Sequence, residues 1–283
     1  MMNKKRVTIP FILEKKKSGK KIAALTAYDY SFARILDASD IDIVLVGDSL
    51  GMVSLGYEST LPVTMDDMIH HTKAVKRGIH NPLLIGDMPF MSYQASNTSA
   101  ITNAGRFIQE GGAEAVKVEG GTRMIERVQA IIEAGISVMG HVGLTPQSVH
   151  QFGGYKVQGK TYLNARQIKK DSKDLEKAGV FALVLEGIPA DLAHEITSEL
   201  HIPTIGIGAG PHCDGQILVL HDLLGLHTEF TPKFVKQYAQ MAALAKSAIS
   251  DYIKEVQSGA FPGAEHSYDI KRDPLKSVAN KEK

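Results

Sequence analysis

The sequence predicts a (β/α)8 barrel, on three observations. Short apolar runs recur eight times, amphipathic stretches separate them, and most runs end in a polar residue or a glycine turn. Parallel barrel strands are buried on both faces and read as continuous Val, Ile and Leu runs, and their C-terminal ends line the active site. A chain of 283 residues fits one such barrel, which commonly takes about 250 residues. One domain spanning 1–283 is therefore expected. An open doubly wound sheet has the same rhythm and is the competing architecture.

The runs, in order, are IAALTA at 22–27, IDIVLVGD at 41–48, PLLIGDMP at 82–89, AEAVKVEG at 113–120, GISVMGHVG at 135–143, FALVLEGI at 181–188, PTIGIGAG at 203–210 and a weaker ILVLHDLLG at 217–225. Between the second and third lies a helix at 64–78, with Thr64 as N-cap, acids in its first turn, bases in its last and Gly78 as the stop. Segment 144–180 is longer than one crossover needs. The glycines and polar residues of LTPQSVHQFGGYKVQGK within it mark an active-site loop. A helix at 233–257 is expected to close the fold, followed by a polar tail over 263–283.

Composition excludes several functions. Lys and Arg number 32 against 31 Asp and Glu, and a formal charge of +1 provides no general field for nucleic acid or an anionic membrane. The single cysteine, Cys213, excludes an intrachain disulfide and a Cys-rich metal site, and fits a reducing compartment. No apolar run approaches the roughly 18 residues of a membrane helix. The first 21 residues contain no apolar core of a leader peptide, so a cytoplasmic protein is expected. The lysines at 15–17 suggest a solvated face, and Cys213 and Met139 suggest packing.

The polar strand ends carry the chemistry. Alternation puts Lys117 and Glu119 on one face of their strand and Val116 and Val118 on the other. The same parity turns Ala182, Val184 and Glu186 inward and leaves Phe181, Leu183 and Leu185 under the helices. Asp48, Asp87 and Glu119 offer oxygen ligands suited to a hard cation such as Mg2+, whose charge would let three crowded carboxylates coexist. Lys117 could form an imine with a carbonyl or act as a fixed positive charge, the favoured role. His141 could ligate, donate a hydrogen bond or be a satisfied polar residue. The GIGAG turn at 206–210 fits either an anion cradle or close backbone packing.

Read in order, LTAYD, LVGDSLGMV, TLPVTMDDM, DMPFMSY, NAGRF, VKVEGG, GHVGLTPQSVHQFGGYKVQGK and IGIGAGPHCDGQILV closely resemble the ketopantoate hydroxymethyltransferase family over about residues 6–262. The resemblance implies a barrel of the phosphoenolpyruvate mutase/isocitrate lyase group. It also implies transfer of a one-carbon unit from 5,10-methylenetetrahydrofolate to 3-methyl-2-oxobutanoate, on the route to pantothenate and coenzyme A. By the same resemblance, Asp48 and Asp87 would ligate Mg2+, with Glu119 as ligand or outer partner. Ser49, Asp48, Asp87 and Lys117 would contact the oxo acid, and Glu186 would accept the proton. Homo-oligomers, often decamers, are implied as well. A metal-dependent lyase or mutase acting on a phospho- or oxo-acid, and a silent oxo-acid binder, are the competing functions.

Overall fold

The computed structural model describes residues 6–227 and 231–268 of the chain. Eight strands, β1 (Ile22–Thr26), β2 (Ile43–Val46), β3 (Leu83–Asp87), β4 (Ala115–Glu119), β5 (Val138–Gly143), β6 (Ala182–Glu186), β7 (Thr204–Ile207) and β8 (Gly215–Leu218), close in chain order into an all-parallel barrel. The helices are α1 (Ile9–Lys17), α2 (Tyr30–Ala38), α3 (Leu50–Val53), α4 (Met65–Gly78), α5 (Asn97–Gln109), α6 (Ile125–Glu133), α7 (Val149–Phe152), α8 (Tyr162–Ala178), α9 (Ala190–Glu199), α10 (Leu220–Leu224) and α11 (Met241–Ser258). The chain divides into two compact units, Met1–Tyr238 and Ala239–Lys283, and the whole barrel lies in the first.

Strand alternation sorts two cores. Ile22, Ile43, Leu45, Leu83, Ile85, Ala115, Val184, Ile205 and Ile217 fill the barrel interior, joined by Val7 and by Ile12 of α1. The opposite parity, including Val44, Val116, Val118, Leu183 and Leu185, packs with the helical layer. Phe181 departs from the expected pattern and joins the interior cluster. It precedes the first residue of β6, where alternation does not bind it.

Four other sequence expectations are corrected. The run at 217–225 is divided: β8 ends at Leu218 and Leu220–Leu224 turn as α10. The helix expected over 233–257 begins at Met241, has no buried residue and lies in the second unit. Lys15 and Lys16 are not solvated: they pair with Asp42 (2.6 Å) and Asp214 (2.8 Å), tying α1 to the loops before β2 and β8. Gly78 is still helical and Ile79 is the C-cap. A Cβ at Gly78 would stand 2.7 Å from that of Ala33, so the glycine permits close packing of α4 on α2. The rest of α4 follows its sequence, with Thr64 and Asp67 forming a capping box. Within the polar tail, residues 269–283 lie outside the described residues.

Candidate active site

The inward residues at the C-terminal strand ends converge as alternation predicts. Asp87 is opposite Lys117 in the β3–β4 register, Glu119 opposite His141 in β4–β5, and Gly143 opposite Glu186 in β5–β6. Asp48 and Ser49 follow β2 after Gly47. Asp48, Asp87, Lys117, Glu119 and His141 are all buried, whereas the Glu186 side chain keeps 16% of its surface open. It is the site acid nearest solvent.

The contacts form a chain of alternating charge. Lys117 Nζ donates to Asp87 Oδ1 at 2.7 Å and to Glu119 Oε1 at 3.4 Å. His141 Nδ1 lies 3.3 Å from Glu119 Oε1, and its Nε2 lies 3.2 Å from Glu186 Oε2. Both ring nitrogens lie within ion-pair distance of the carboxylates, and the contacts are charge pairs when the ring is protonated. Asp48 instead receives an amide: Gln147 Nε2 donates to its Oδ2 at 3.0 Å. Its backbone N–H donates to Asp87 Oδ2 at 3.2 Å.

The electrostatics divide the acids. Burial opposes ionisation of Glu119, but Lys117, His141 and the Gln147 N–H outweigh it and hold the carboxyl at about 2. Burial, joined by the charges of Asp87 and Glu119, pushes Asp48 well above the usual carboxylate range. Burial raises Asp87 as well, against Lys117. For His141, burial and Lys117 oppose the charged ring, yet Glu119 and Glu186 prevail and raise it to about 9. Lys117 is held above its ordinary range, despite burial, by Asp87, Glu119 and Asp48. A protonated amine cannot attack a carbonyl, so this setting favours the fixed-charge role over an imine.

Sequence reasoning missed three residues that organise the site. Gln147 donates its backbone N–H to Glu119 Oε2 and its side-chain amide to Asp48 and to the Met88 carbonyl. The Tyr93 hydroxyl donates to Gln147 Oε1 at 2.9 Å and also meets both the N–H and the carbonyl of Glu119. Tyr28 OH lies 2.8 Å from Ser49 Oγ. The signals were present, since Gln147 lies in the LTPQS segment of the expected active-site loop and Tyr93 in DMPFMSY. That loop also carries Tyr155, whose hydroxyl reaches Met52 Sδ on α3 at 3.5 Å. The GIGAG turn runs on from β7, and Gly208 packs against Phe234, as close backbone packing requires.

The model of the ketopantoate hydroxymethyltransferase family matches residues 6–264. The chain belongs to that family. It is 58% identical over 266 residues to the 3-methyl-2-oxobutanoate hydroxymethyltransferase of Heliobacterium modesticaldum, covering 94% of this chain and 96% of the relative. To the protein of that name from Thermoanaerobacter sp. it is 60% identical over 257 residues, covering 91% and 94%. Among solved structures, phosphonopyruvate hydrolase in complex with oxalate and Mg2+ aligns with a TM-score of 0.61 at 12% identity, covering 92% of this chain and 93% of that one. A 2,3-dimethylmalate lyase of the PEP mutase/isocitrate lyase superfamily aligns at 0.57 and 16%, covering 95% and 92%. These two establish a shared barrel. No helix among the described residues is long and apolar enough to cross a membrane.

Proposed function

We propose that this enzyme transfers the one-carbon unit of 5,10-methylenetetrahydrofolate to carbon 3 of 3-methyl-2-oxobutanoate, giving ketopantoate. The observation that carries the reading is Glu186, the most open of the site acids, held by His141 above a buried set of charges.

The residues fit a divalent cation, Mg2+ by preference, at Asp48 and Asp87. Burial raises both carboxyls, Asp87 against the pull of Lys117, and Asp48 is met by an amide instead of a cation. The oxygens of Glu119 are already engaged by Lys117, His141 and Gln147. Among the described residues no three His, Cys, Asp or Glu side chains form a ready metal cage. Two carboxylates with substrate oxygens and water suit Mg2+, so Glu119 is proposed as an outer partner. When bound, the cation would supply Lewis acidity toward the oxo acid.

The protein's own groups do the rest. Ser49, beside Asp87 across Gly47, is placed to meet the oxo acid. Lys117, fixed between Asp87 and Glu119, offers positive charge where an enolate develops. Glu186 takes the proton of carbon 3, and the imidazolium of His141 orients its carboxylate. Water supplies the hydroxyl oxygen: hydrolysis breaks both C–N bonds of the folate-borne methylene to leave formaldehyde and tetrahydrofolate. The enolate carbon adds to the formaldehyde carbonyl, the alkoxide takes a proton to give ketopantoate, and the 144–160 loop covers the mouth. A cytoplasmic homo-oligomer is the proposed working form. It is supported by the apolar side chains that α11 exposes, including Leu244, Ile249, Tyr252 and Val256.

Purified protein given 3-methyl-2-oxobutanoate, 5,10-methylenetetrahydrofolate and Mg2+ should form ketopantoate. Folate-independent carbon–carbon cleavage of an oxo acid would identify a lyase instead.

A further inference from the structure

A feature with an excess of cations lies outside the site. Between α8 and α9 runs an open groove of about 730 Å3, lined by five cations, Arg166, Lys169, Lys170, Lys173 and Lys177, against two acids, Asp174 and Glu195. The cations recur every three or four residues, so they form one stripe on α8, with neighbours about 5–6 Å apart. From Arg166 to Lys177 the stripe is about 16 Å long at the ordinary helical rise. Part of the charge is answered locally: Lys169 pairs with Glu195 and Glu199, Lys173 with Glu199 and Lys170 with Asp174. Arg166 and Lys177 stand outside these pairs and are exposed.

The groove starts beside the active-site mouth. A helix that follows a barrel strand begins at the C-terminal end of the strands, so Tyr162 and the N-terminus of α8 lie at that rim. Gly187, next to Glu186, accepts the Gln158 N–H at 2.9 Å. Gly159 packs on Leu192, and Leu192 and Tyr162 line the groove. A co-substrate at Glu186 therefore has a short path over Gly159 into the row of cations.

We infer that this groove binds the poly-γ-glutamyl tail of the folate donor, the α-carboxylates of successive glutamates meeting the cations of α8 in turn. The inference rests on the proposed folate-dependent reaction. Folate coenzymes carry such tails, each added glutamate contributing one carboxylate, and a row of cations spaced along a helix matches a chain of regularly spaced anions. Once the pterin occupies the mouth, tail binding is intramolecular, so weak surface contacts add up. They remain screened by salt.

The test compares donors bearing one and five glutamates on the full-length enzyme. The pentaglutamate should have a KM lower by about tenfold at low ionic strength, shrinking toward unity near 0.5 M salt. In Arg166→Gln/Lys177→Gln the advantage should fall to about twofold or less, with kcat and the KM of the monoglutamate unchanged. Both positions are exposed on the helix surface, and unchanged monoglutamate kinetics certify the fold. Equal KM for the two donors in the unaltered enzyme, or an advantage that survives the double substitution or high salt, would overturn the inference. Ketopantoate formed from neither donor would instead remove the folate reading of the site, and this inference with it.

Discussion

The Nε2 of His141 lies 3.2 Å from the Oε2 of Glu186, while its other ring nitrogen faces Glu119 at 3.3 Å. One ring thus joins a buried carboxylate of the site to its most open one. Glu119 is neutralised from two sides, by Lys117 and His141, and Glu186 from one. Glu186 is also the site acid that a substrate entering from the mouth would meet, which fits the proposed base role.

Glu186→Gln should therefore abolish proton removal without abolishing binding. In D2O, exchange at carbon 3 of 3-methyl-2-oxobutanoate is expected to slow by about 10²–10⁴. Binding of the oxo acid, followed by calorimetry with Mg2+ present, should change little. Exchange at the original rate would take the base role away from Glu186.

Gln147 stitches the acids together, and its loss should spread across the site. Gln147→Leu keeps the backbone N–H on Glu119 but removes the donor to Asp48 and the acceptor of Tyr93 OH. Losing a group that hydrogen-bonds and orients a metal-ligating carboxylate costs about 10–100-fold in metal affinity or activity. Mg2+ affinity and kcat/KM should both fall in that range, with Gln147→Glu failing to rescue because it adds a fifth acid to the site. Unchanged Mg2+ affinity in the Leu variant would limit Gln147 to packing.

The charge on His141 fixes the sign of a pH effect. Its pKa rises on folding from 6.5 to about 9, against burial, because Glu119 and Glu186 hold the proton. A group raised on folding contributes stability that is complete below pH 6.5 and is lost as pH climbs through 9. Urea unfolding of the unaltered protein and of His141→Gln should differ in slope across that window. The gap should narrow by on the order of 2 kcal/mol between pH 6 and 10. Parallel pH profiles for the two proteins would show that His141 is neutral in the folded state.

Much of this site was legible because a strand end carries two signals at once. Asp87, Lys117, Glu119, His141 and Glu186 each interrupt an apolar run, and alternation says which way each one points. Gln147 and Tyr93 carry neither signal. They lie in the loops after β3 and β5 and meet only through the side-by-side pairing of β3, β4 and β5, which local pattern does not encode. The division of 217–225 between β8 and α10 had a faint mark in His221 and Asp222, which break the apolar run. The pairing of Lys15 and Lys16 depends on partners 27 and 198 residues away, a separation that local pattern does not encode.

Glycine geometry gives the last prediction. Gly143 ends β5 at φ +101°, and a Cβ there would stand 2.2 Å from the carbonyl oxygen of Glu186. That same oxygen accepts the Leu144 N–H at 2.8 Å, so the contact cannot open without moving the Glu186 backbone. Gly135 has a comparable φ of +87° but open space around its Cβ. Gly135→Ala should then cost only the left-handed backbone penalty, about 1–2 kcal/mol. Gly143→Ala adds a steric clash to that penalty and should cost about 3 kcal/mol or more, with a loss of carbon 3 exchange that Gly135→Ala does not share. Denaturant midpoints and exchange rates of the two variants separate strain from displacement of the base. If Gly143→Ala matched Gly135→Ala in both, the β5 terminus would yield freely, and the position of Glu186 would not depend on this glycine.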